Sequence, residues 1–380
     1  MIDWQRRARR MADALASDRA LTDPAWRAAF EAIPRHLFVP RFYRPDGTLV
    51  DSADPAVGDE WLAAVYADDS LVTKLAPVPG SDLSLSVSSA TMPSLMARML
   101  HLLDVPPVSK VLEIGTGTGY NAALLCHRLG DRQVVSVDID PELVAAAGAR
   151  LAGLGYHPHL VAADGSAGVA DRAPYDRIIA TCAVPAVPSA WIRQLEIGGL
   201  IVTDVRGEIS SSLAVLRKTA ADTVSGTFLA VPGHFMWLRA RADNPLRDGD
   251  GGMLVIDLDN TTTRATTLGP AQLDDPDLRF ALQAHLPDAE GLFRLPSQPP
   301  AAQLRTSDGS WAEVSGDGTG ARVTEGGPRR IWSIAERATA WWTDNGHPTR
   351  ARFGITATAG GSAQLWLDRP DSGRSWTLPL

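Results

Sequence analysis

The chain has 380 residues, 45% of them hydrophobic and 21% charged, with a formal net charge of -8 and a pI near 5.5. That length exceeds one typical core, so two domains, or one domain with a large extension, are expected. The acidic balance excludes loose electrostatic attachment to DNA or RNA and favours a small or peptidic partner. No apolar run approaches the roughly 20 residues that span a bilayer. The basic run Arg6-Arg7-Ala8-Arg9-Arg10 opens an amphipathic helix pattern in place of a signal-peptide core, so a cytoplasmic location is expected. Cys126 and Cys182 sit in apolar segments without metal-ligand spacing, which predicts buried free thiols and no metal site.

Residues 1 to about 50 read as helices: Thr22 or Asp23 caps one that has Pro24 at its first position and Trp26, Phe30 and Ile33 on one face. Loops and a small strand at Leu83–Val87 follow. From about 92 to 230 apolar runs at 110–114, 134–138, 177–180 and 199–205 alternate with helical patterns, which predicts a doubly wound α/β sheet of buried parallel strands. A polar Asp/Gly/Asn-rich stretch at 241–252 marks a boundary. Beyond it the pattern gives a strand at 253–258, a helix at 271–285, hairpin signals at Asp308-Gly309 and Asp317-Gly318, a helix at 334–342, and strands at 352–358 and 364–367. The division expected is an N-terminal helical and loop region (1–80), a nucleotide-cofactor core (81–240) and a smaller α+β C-terminal domain (241–380). Six of the eleven tryptophans, Trp311, Trp332, Trp341, Trp342, Trp366 and Trp376, fall in this last part. They read as its core, with a peptide groove as the alternative.

The run Val111-Leu112-Glu113-Ile114-Gly115-Thr116-Gly117-Thr118-Gly119-Tyr120 carries the chemistry. A buried strand ends in an acid and enters a turn spaced GxGxG, whereas a pyrophosphate-binding turn is spaced GxGxxG. Such a turn beside an acid suits a cationic, phosphate-free ligand, and S-adenosylmethionine fits that description. Asp138, followed by Ile139, ends the second strand where a carboxylate can accept both ribose hydroxyls. Asp164 and Gly165 end the third, where an acid and an open backbone suit an adenine. Glu113, Asp138 and Asp164 at three successive strand ends form one pattern. Glu113, Gly115, Thr116, Gly117, Tyr120, Asp138, Ile139, Asp164 and Gly165 are therefore the expected cofactor residues. The fourth strand lacks the Asn/Asp-Pro-Pro-aromatic tetrad of nucleobase amino-methyltransferases, and no GxSxG elbow is present.

Several pieces in order resemble the protein-L-isoaspartate (D-aspartate) O-methyltransferases over residues 15 to about 216. They are Ile33-Pro34-Arg35-His36-Leu37-Phe38-Val39-Pro40, the glycine run, Asp164-Gly165, Ala173-Pro174-Tyr175-Asp176-Arg177-Ile178-Ile179, Val187-Pro188 and Gln194-Leu195-Glu196-Ile197-Gly198-Gly199. The resemblance implies a class I methyltransferase fold and methyl transfer from S-adenosylmethionine to an aspartyl-derived carboxylate. It aligns Ser89 with the family's active-site serine, assisted by Ser88 or Thr91. Those hydroxyls otherwise read as a cap for the helix starting at Pro93. Where the repair enzymes have Ser-Ala-Pro-His-Met, this chain has Ser88-Ser89-Ala90-Thr91-Met92-Pro93-Ser94, without the Pro-His pair. That departure and the long C-terminal part resemble homologues that tailor ribosomal peptide natural products in ATP-grasp (graspetide) or lanthipeptide pathways. This resemblance implies methylation of an aspartate in a macrocyclic peptide, leading to aspartimide or isoaspartate. General isoaspartyl repair is the alternative, and a non-catalytic cofactor- or peptide-binding subunit is a third reading of another class.

Overall fold

The computed structural model describes residues 3–242, 244–245, 261–295, 300–316 and 320–378. The strand expected at 253–258 and the hairpin at Asp317-Gly318 lie outside the described residues. Near the N-terminus, α1 (Trp4–Ser17) buries Ala8, Met11, Ala12 and Leu15, a three-to-four spacing that turns one face inward. In α2 (Pro24–Ala32), Asp23 is the cap: its carboxylate accepts from the Ala25 N–H at 2.7 Å, with Pro24 in the first turn. After the short α3 (Arg35–Phe38) the chain departs from the helical expectation. Strands β1 (Arg41–Tyr43) and β2 (Leu49–Asp51), then α4 (Gly58–Val65), β3 (Leu71–Pro77) and β4 (Ser84–Ala90), build an antiparallel sheet in the order β2-β1-β3-β4. Three-residue strands are too short to show alternation, so the sequence pattern could not reveal them.

The core follows with α5 (Pro93–Leu102), β5 (Val111–Ile114), α6 (Tyr120–Leu129), β6 (Val134–Asp138), α7 (Pro141–Ala152), β7 (His159–Ala162), β8 (Tyr175–Val184), α8 (Ser189–Gln194) and β9 (Leu195–Arg206). Strands β9-β8-β5-β6-β7 run parallel, as the alternating pattern predicted. Val111, Leu112, Ile114, Val134 and Val137 are buried because helices cover both faces of the sheet. From β9 onward β10 (Ser211–Ala220) and β11 (Thr223–Phe228) continue it antiparallel.

Beyond residue 260 the chain builds a second sheet from β12 (Thr262–Ala265), β13 (Ala289–Leu295), β14 (Ala301–Thr306), β15 (Trp311–Ser315) and β16 (Arg322–Gly326). Helices α9 (Pro276–His285) and α10 (Ile331–Asp344) pack together beside it. The helix expected at 271–285 is split: residues 270–274 form a 3₁₀ turn, and Asp275 caps a new helix with Pro276 in its first turn. The final strands β17 (Phe353–Thr358), β18 (Ala363–Leu367) and β19 (Ser375–Thr377) do not stay with this part. They return to the first sheet, with β17 against β11, and complete ten strands in the order β19-β18-β17-β11-β10-β9-β8-β5-β6-β7. The boundary near 240 thus separates sequence but not sheet. Arg350 fastens the junction, donating to the Asp277 carboxylate at 3.1 Å and to the Ala230 carbonyl at 3.2 Å.

Cys126 and Cys182 are free and buried. Trp332 and Trp366 lie in the interior, and Trp341 and Trp376 stack edge to face at 5.1 Å. Among the described residues no helix is long and apolar enough to cross a membrane, and no cluster of His, Cys, Asp or Glu is arranged to hold a metal.

Candidate active site

Beyond the carboxyl ends of β5, β6 and β8 lies a cleft open to solvent, at the place where a doubly wound sheet holds its ligands. The glycine turn forms its floor. Gly115, Gly117 and Gly119 have φ of +96°, +50° and +89°, a region that side chains with a Cβ avoid. Gly115 is doubly constrained, because a Cβ there would stand 2.6 Å from the Thr181 hydroxyl oxygen. Asp138 holds the turn: its carboxylate accepts from the Gly117 N–H at 2.8 Å and the Asp140 N–H at 3.1 Å. Burial raises its pKa, against the lowering effect of those two N–H groups. Ile139 and Gly165 line the same cleft.

The opposite wall is β4. Ser88, Ser89 and Thr91 line the cleft with Val87. None of them caps α5, whose cap position is Met92 without a side-chain bond. The Ser88 hydroxyl accepts from the Thr73 hydroxyl at 3.0 Å, whereas Ser89 has no such partner. Buried Arg35 braces this wall from behind, donating to the Thr91 carbonyl at 3.0 Å and the Val65 carbonyl at 2.6 Å. Lys74 on β3 ties the hairpin to the start of α7 through Asp140 at 2.7 Å and Glu142 at 2.8 Å.

An adjoining pocket shares Ser89, Thr91, Gly115, Gly117 and Thr181 with the cleft and adds Thr116, Tyr120 and Asn121. Here the Tyr120 hydroxyl and Asn121 Oδ1 are buried without a partner in the protein. Buried polar atoms as a rule have a partner, so these two mark a place short of one. A pocket with this lining fits a polar ligand end such as the amino-acid end of S-adenosylmethionine.

Two expected residues sit elsewhere. Glu113 is fully buried under the turn, accepting from Asn121 Nδ2 at 2.7 Å and from the Ser136 hydroxyl. Burial pushes its pKa up to about 7. It lines neither pocket, because its side chain points to the sheet face covered by α6, where Asn121 holds it. Asp164 is turned onto its own loop, accepting from the Ser166 N–H and hydroxyl at 2.8 Å each, and does not line the cleft.

Sequence reasoning missed the roof. Residues 233–239 cross the sheet end, with Met236, Trp237, Leu238 and Arg239 lining the cleft. Ala183 pairs with the strap in a parallel bridge: its N–H donates to the Met236 carbonyl and its carbonyl accepts from the Leu238 N–H, each at 2.8 Å. The end of β9 holds it too. Asp204, raised to about 6 by burial, accepts from the Phe235 N–H at 3.2 Å, and the Arg206 guanidinium lies 4.9 Å from the centre of the Trp237 ring. The short apolar run Phe235–Leu238 after Pro232-Gly233 was the available signal, but it has no period to classify.

The family model described as protein-L-isoaspartate (D-aspartate) O-methyltransferase matches residues 6–232. The chain belongs to that family. A protein-L-isoaspartate O-methyltransferase of Koribacter versatilis is 37% identical over 212 residues, covering 56% of this chain and 82% of its own length. Protein-L-isoaspartate O-methyltransferase 1 of Archaeoglobus fulgidus is 34% identical over 219 residues, covering 57% and 87%. A solved protein-L-isoaspartate O-methyltransferase superposes with a TM-score of 0.54 at 20% identity, covering 95% of this chain and all of its own. That likeness concerns the fold, and it runs through the C-terminal part as well. As a member of the family the chain is a carboxyl methyltransferase of class I fold, dependent on S-adenosylmethionine. The subtype that tailors ribosomal peptides finds no counterpart among these relatives, all of which carry the isoaspartate name.

Proposed function

We propose that the enzyme methylates the free carboxylate of L-isoaspartyl residues in proteins and peptides, with Ser89 orienting the acceptor. One observation carries this reading: among the described residues, the ionisable acid or base side chains lining the cleft are Asp138, Cys182 and Arg239. Asp138 is committed to two backbone N–H groups, and burial pushes the Cys182 thiol up. No general base is therefore poised to deprotonate an amine or alcohol, whereas a carboxylate is ionised at neutral pH and needs none.

When bound, S-adenosylmethionine supplies a methyl on a sulfonium, and its transfer turns the anionic carboxylate into a neutral ester while the electron pair stays on sulfur. The protein's part is to orient and to exclude water, and orientation of this kind is worth roughly 7–11 kcal/mol. Gly115, Thr116, Gly117, Tyr120, Asp138, Ile139 and Gly165 hold the donor; Ser89, free of a protein partner, donates to the acceptor oxygen. Glu113 acts from beneath by fixing Asn121, and Asp164 by shaping the loop before Gly165. The ester then activates the carbonyl toward attack by the neighbouring backbone nitrogen, which expels the methoxy group as methanol, taking the amide proton, and gives a succinimide that hydrolyses partly to aspartate.

A second reading rests on Thr91, which lines both pockets and belongs to the Thr91-Met92 pair that follows Ser89-Ala90 where the repair pattern has Pro-His. In it, the acceptor is an aspartate side chain of a macrocyclised ribosomal peptide, aspartimide is the product, and the C-terminal part recognises the peptide. Methyl transfer to matched isoaspartyl and aspartyl peptides decides between them. Turnover of a linear isoaspartyl peptide alone is expected; activity confined to an aspartyl macrocycle would replace the first reading with the second.

A further inference from the structure

The cleft that receives an anionic acceptor is walled by Asp138 and carries one cationic side chain among its lining residues, Arg239. This residue lies beyond the stretch 6–232 that matches the family model, on the strap that roofs the site. Its guanidinium is loosely held. Nη2 donates to the Val87 carbonyl at 3.4 Å, and Nη1 to the carbonyls of Arg241 and Ala242 at 3.5 and 3.3 Å. No carboxylate among the described residues lies within ion-pair distance of it, although its charge acts on Asp138, opposing the rise that burial gives that carboxyl. Its neighbour Arg206 is occupied differently, donating to the Phe235 carbonyl at 2.8 Å and lying over Trp237. Of the other cations at this wall, Lys74 is taken up by Asp140 and Glu142, and Arg35 by the Val65 and Thr91 carbonyls.

We infer that Arg239 receives the acceptor, pairing with the carboxylate that is to be methylated and selecting it over the finished ester. This rests on the carboxylate-acceptor reading above. The bond from Nη2 to Val87 sets the guanidinium one residue before Ser88-Ser89, on the wall assigned to the acceptor. A guanidinium fork matches a carboxylate in two parallel bonds and has nothing to pair with in an ester. The acceptor loses its charge on transfer, so the same residue that gathers the substrate releases the product. The donor's own carboxylate is a competing partner, but the pocket that suits its amino-acid end, around Thr116, Tyr120 and Asn121, does not include Arg239. Attraction from Arg239 also offsets the repulsion between an anionic acceptor and Asp138, which a net charge of -8 across the chain does nothing to relieve.

The test uses the full chain, a synthetic peptide with one L-isoaspartyl residue, no other acid and an amidated C-terminus, and the α-methyl ester of that peptide. Arg239→Gln is expected to raise KM for the acid about 10- to 100-fold, the range for a lost hydrogen bond to a charged group, with kcat little changed. Binding of S-adenosylhomocysteine by calorimetry stays at the wild-type value. With S-adenosylhomocysteine present, wild type prefers the acid to the ester; Arg239→Gln loses that preference and Arg239→Lys recovers part of it. Unchanged KM and preference in Arg239→Gln, with wild type active on the peptide, overturn this inference and leave the acceptor reading standing. Loss confined to S-adenosylhomocysteine binding overturns it in favour of a donor contact. A wild-type enzyme that neither binds nor methylates the peptide overturns both.

Discussion

The parallel half of the long sheet and the part built after residue 260 treat buried polar groups in opposite ways. Around α10 the buried polar side chains form one network: Arg264 reaches Glu336 at 2.8 and 2.9 Å, Glu336 accepts from the Thr266 hydroxyl at 2.6 Å, and that hydroxyl accepts from Trp332 Nε1 at 3.0 Å. In the methyltransferase half, atoms on Tyr120, Asn121, Thr203 and Asp204 are buried without a protein partner. All such atoms among the described residues fall between Arg35 and Asp204. A saturated network rigidifies a fold, whereas an unpaired buried atom calls for a partner, and among these Tyr120 and Asn121 line a pocket. The contrast predicts that substitutions after residue 260 change stability and that those around the glycine turn change ligand binding.

The largest expected effect breaks the scaffold alone. Trp332 is wholly buried, and Trp332→Ala should destabilise the protein by about 3–5 kcal/mol, measured by denaturant unfolding. Affinity for S-adenosylhomocysteine should stay within about twofold at 20 °C, a change well under the 1.4 kcal/mol of a tenfold step. A parallel loss of affinity would show that the two halves are one cooperative unit. Asp138→Ala gives the converse result. It removes the acceptor of the Gly117 and Asp140 N–H groups, and affinity should fall about 100-fold, near 3 kcal/mol, while the unfolding midpoint moves little. Wild-type affinity by calorimetry would refute the site itself.

The same contrast explains what the sequence made legible. The parallel strands were readable because full burial writes continuous apolar runs, and the glycine turn because positive φ demands glycine. The return of β17–β19 to the first sheet was not readable. Thr227 pairs with Gly354, 127 positions later, and an alternating strand carries no label for so distant a partner. Glu113 and Asp164 were placed correctly at strand ends, but the direction of a side chain at a strand end depends on register and on local turns such as the Ser166 bond. The strap was missed because its role comes from where β9 and Ala183 hold it.

Protonation sharpens the comparison next. A Glu113 pKa of about 7 against an ordinary 4.5 means the folded state binds the proton more tightly than the unfolded one. Its stabilising effect is fully present below pH 4.5, declines as pH rises, and is gone above 7. Glu113→Gln should therefore be more stable than wild type at pH 8 by up to about 3 kcal/mol, with the difference vanishing near pH 4. Denaturant unfolding of both proteins across that range makes the check, since the other groups cancel in the difference. A constant difference would mean that Glu113 stays ionised in the fold.

The smallest effect separates Ser89 from Ser88 on the same wall. Ser88 already accepts from Thr73, and its hydroxyl is buried; Ser89 is half-buried in the cleft with no protein partner. A free hydroxyl that orients a carboxylate contributes one charge-assisted bond, so Ser89→Ala should lower kcat/KM about tenfold, near 1.4 kcal/mol. Ser88→Ala instead strands the Thr73 hydroxyl, and its effect should appear as about 1 kcal/mol of stability with kcat/KM nearly unchanged. If the two variants exchange these signatures, the acceptor lies one residue nearer the strap, closer to the Val87 carbonyl on which Arg239 rests. The orienting role would then pass to Ser88 while the cleft and its donor side stay as described.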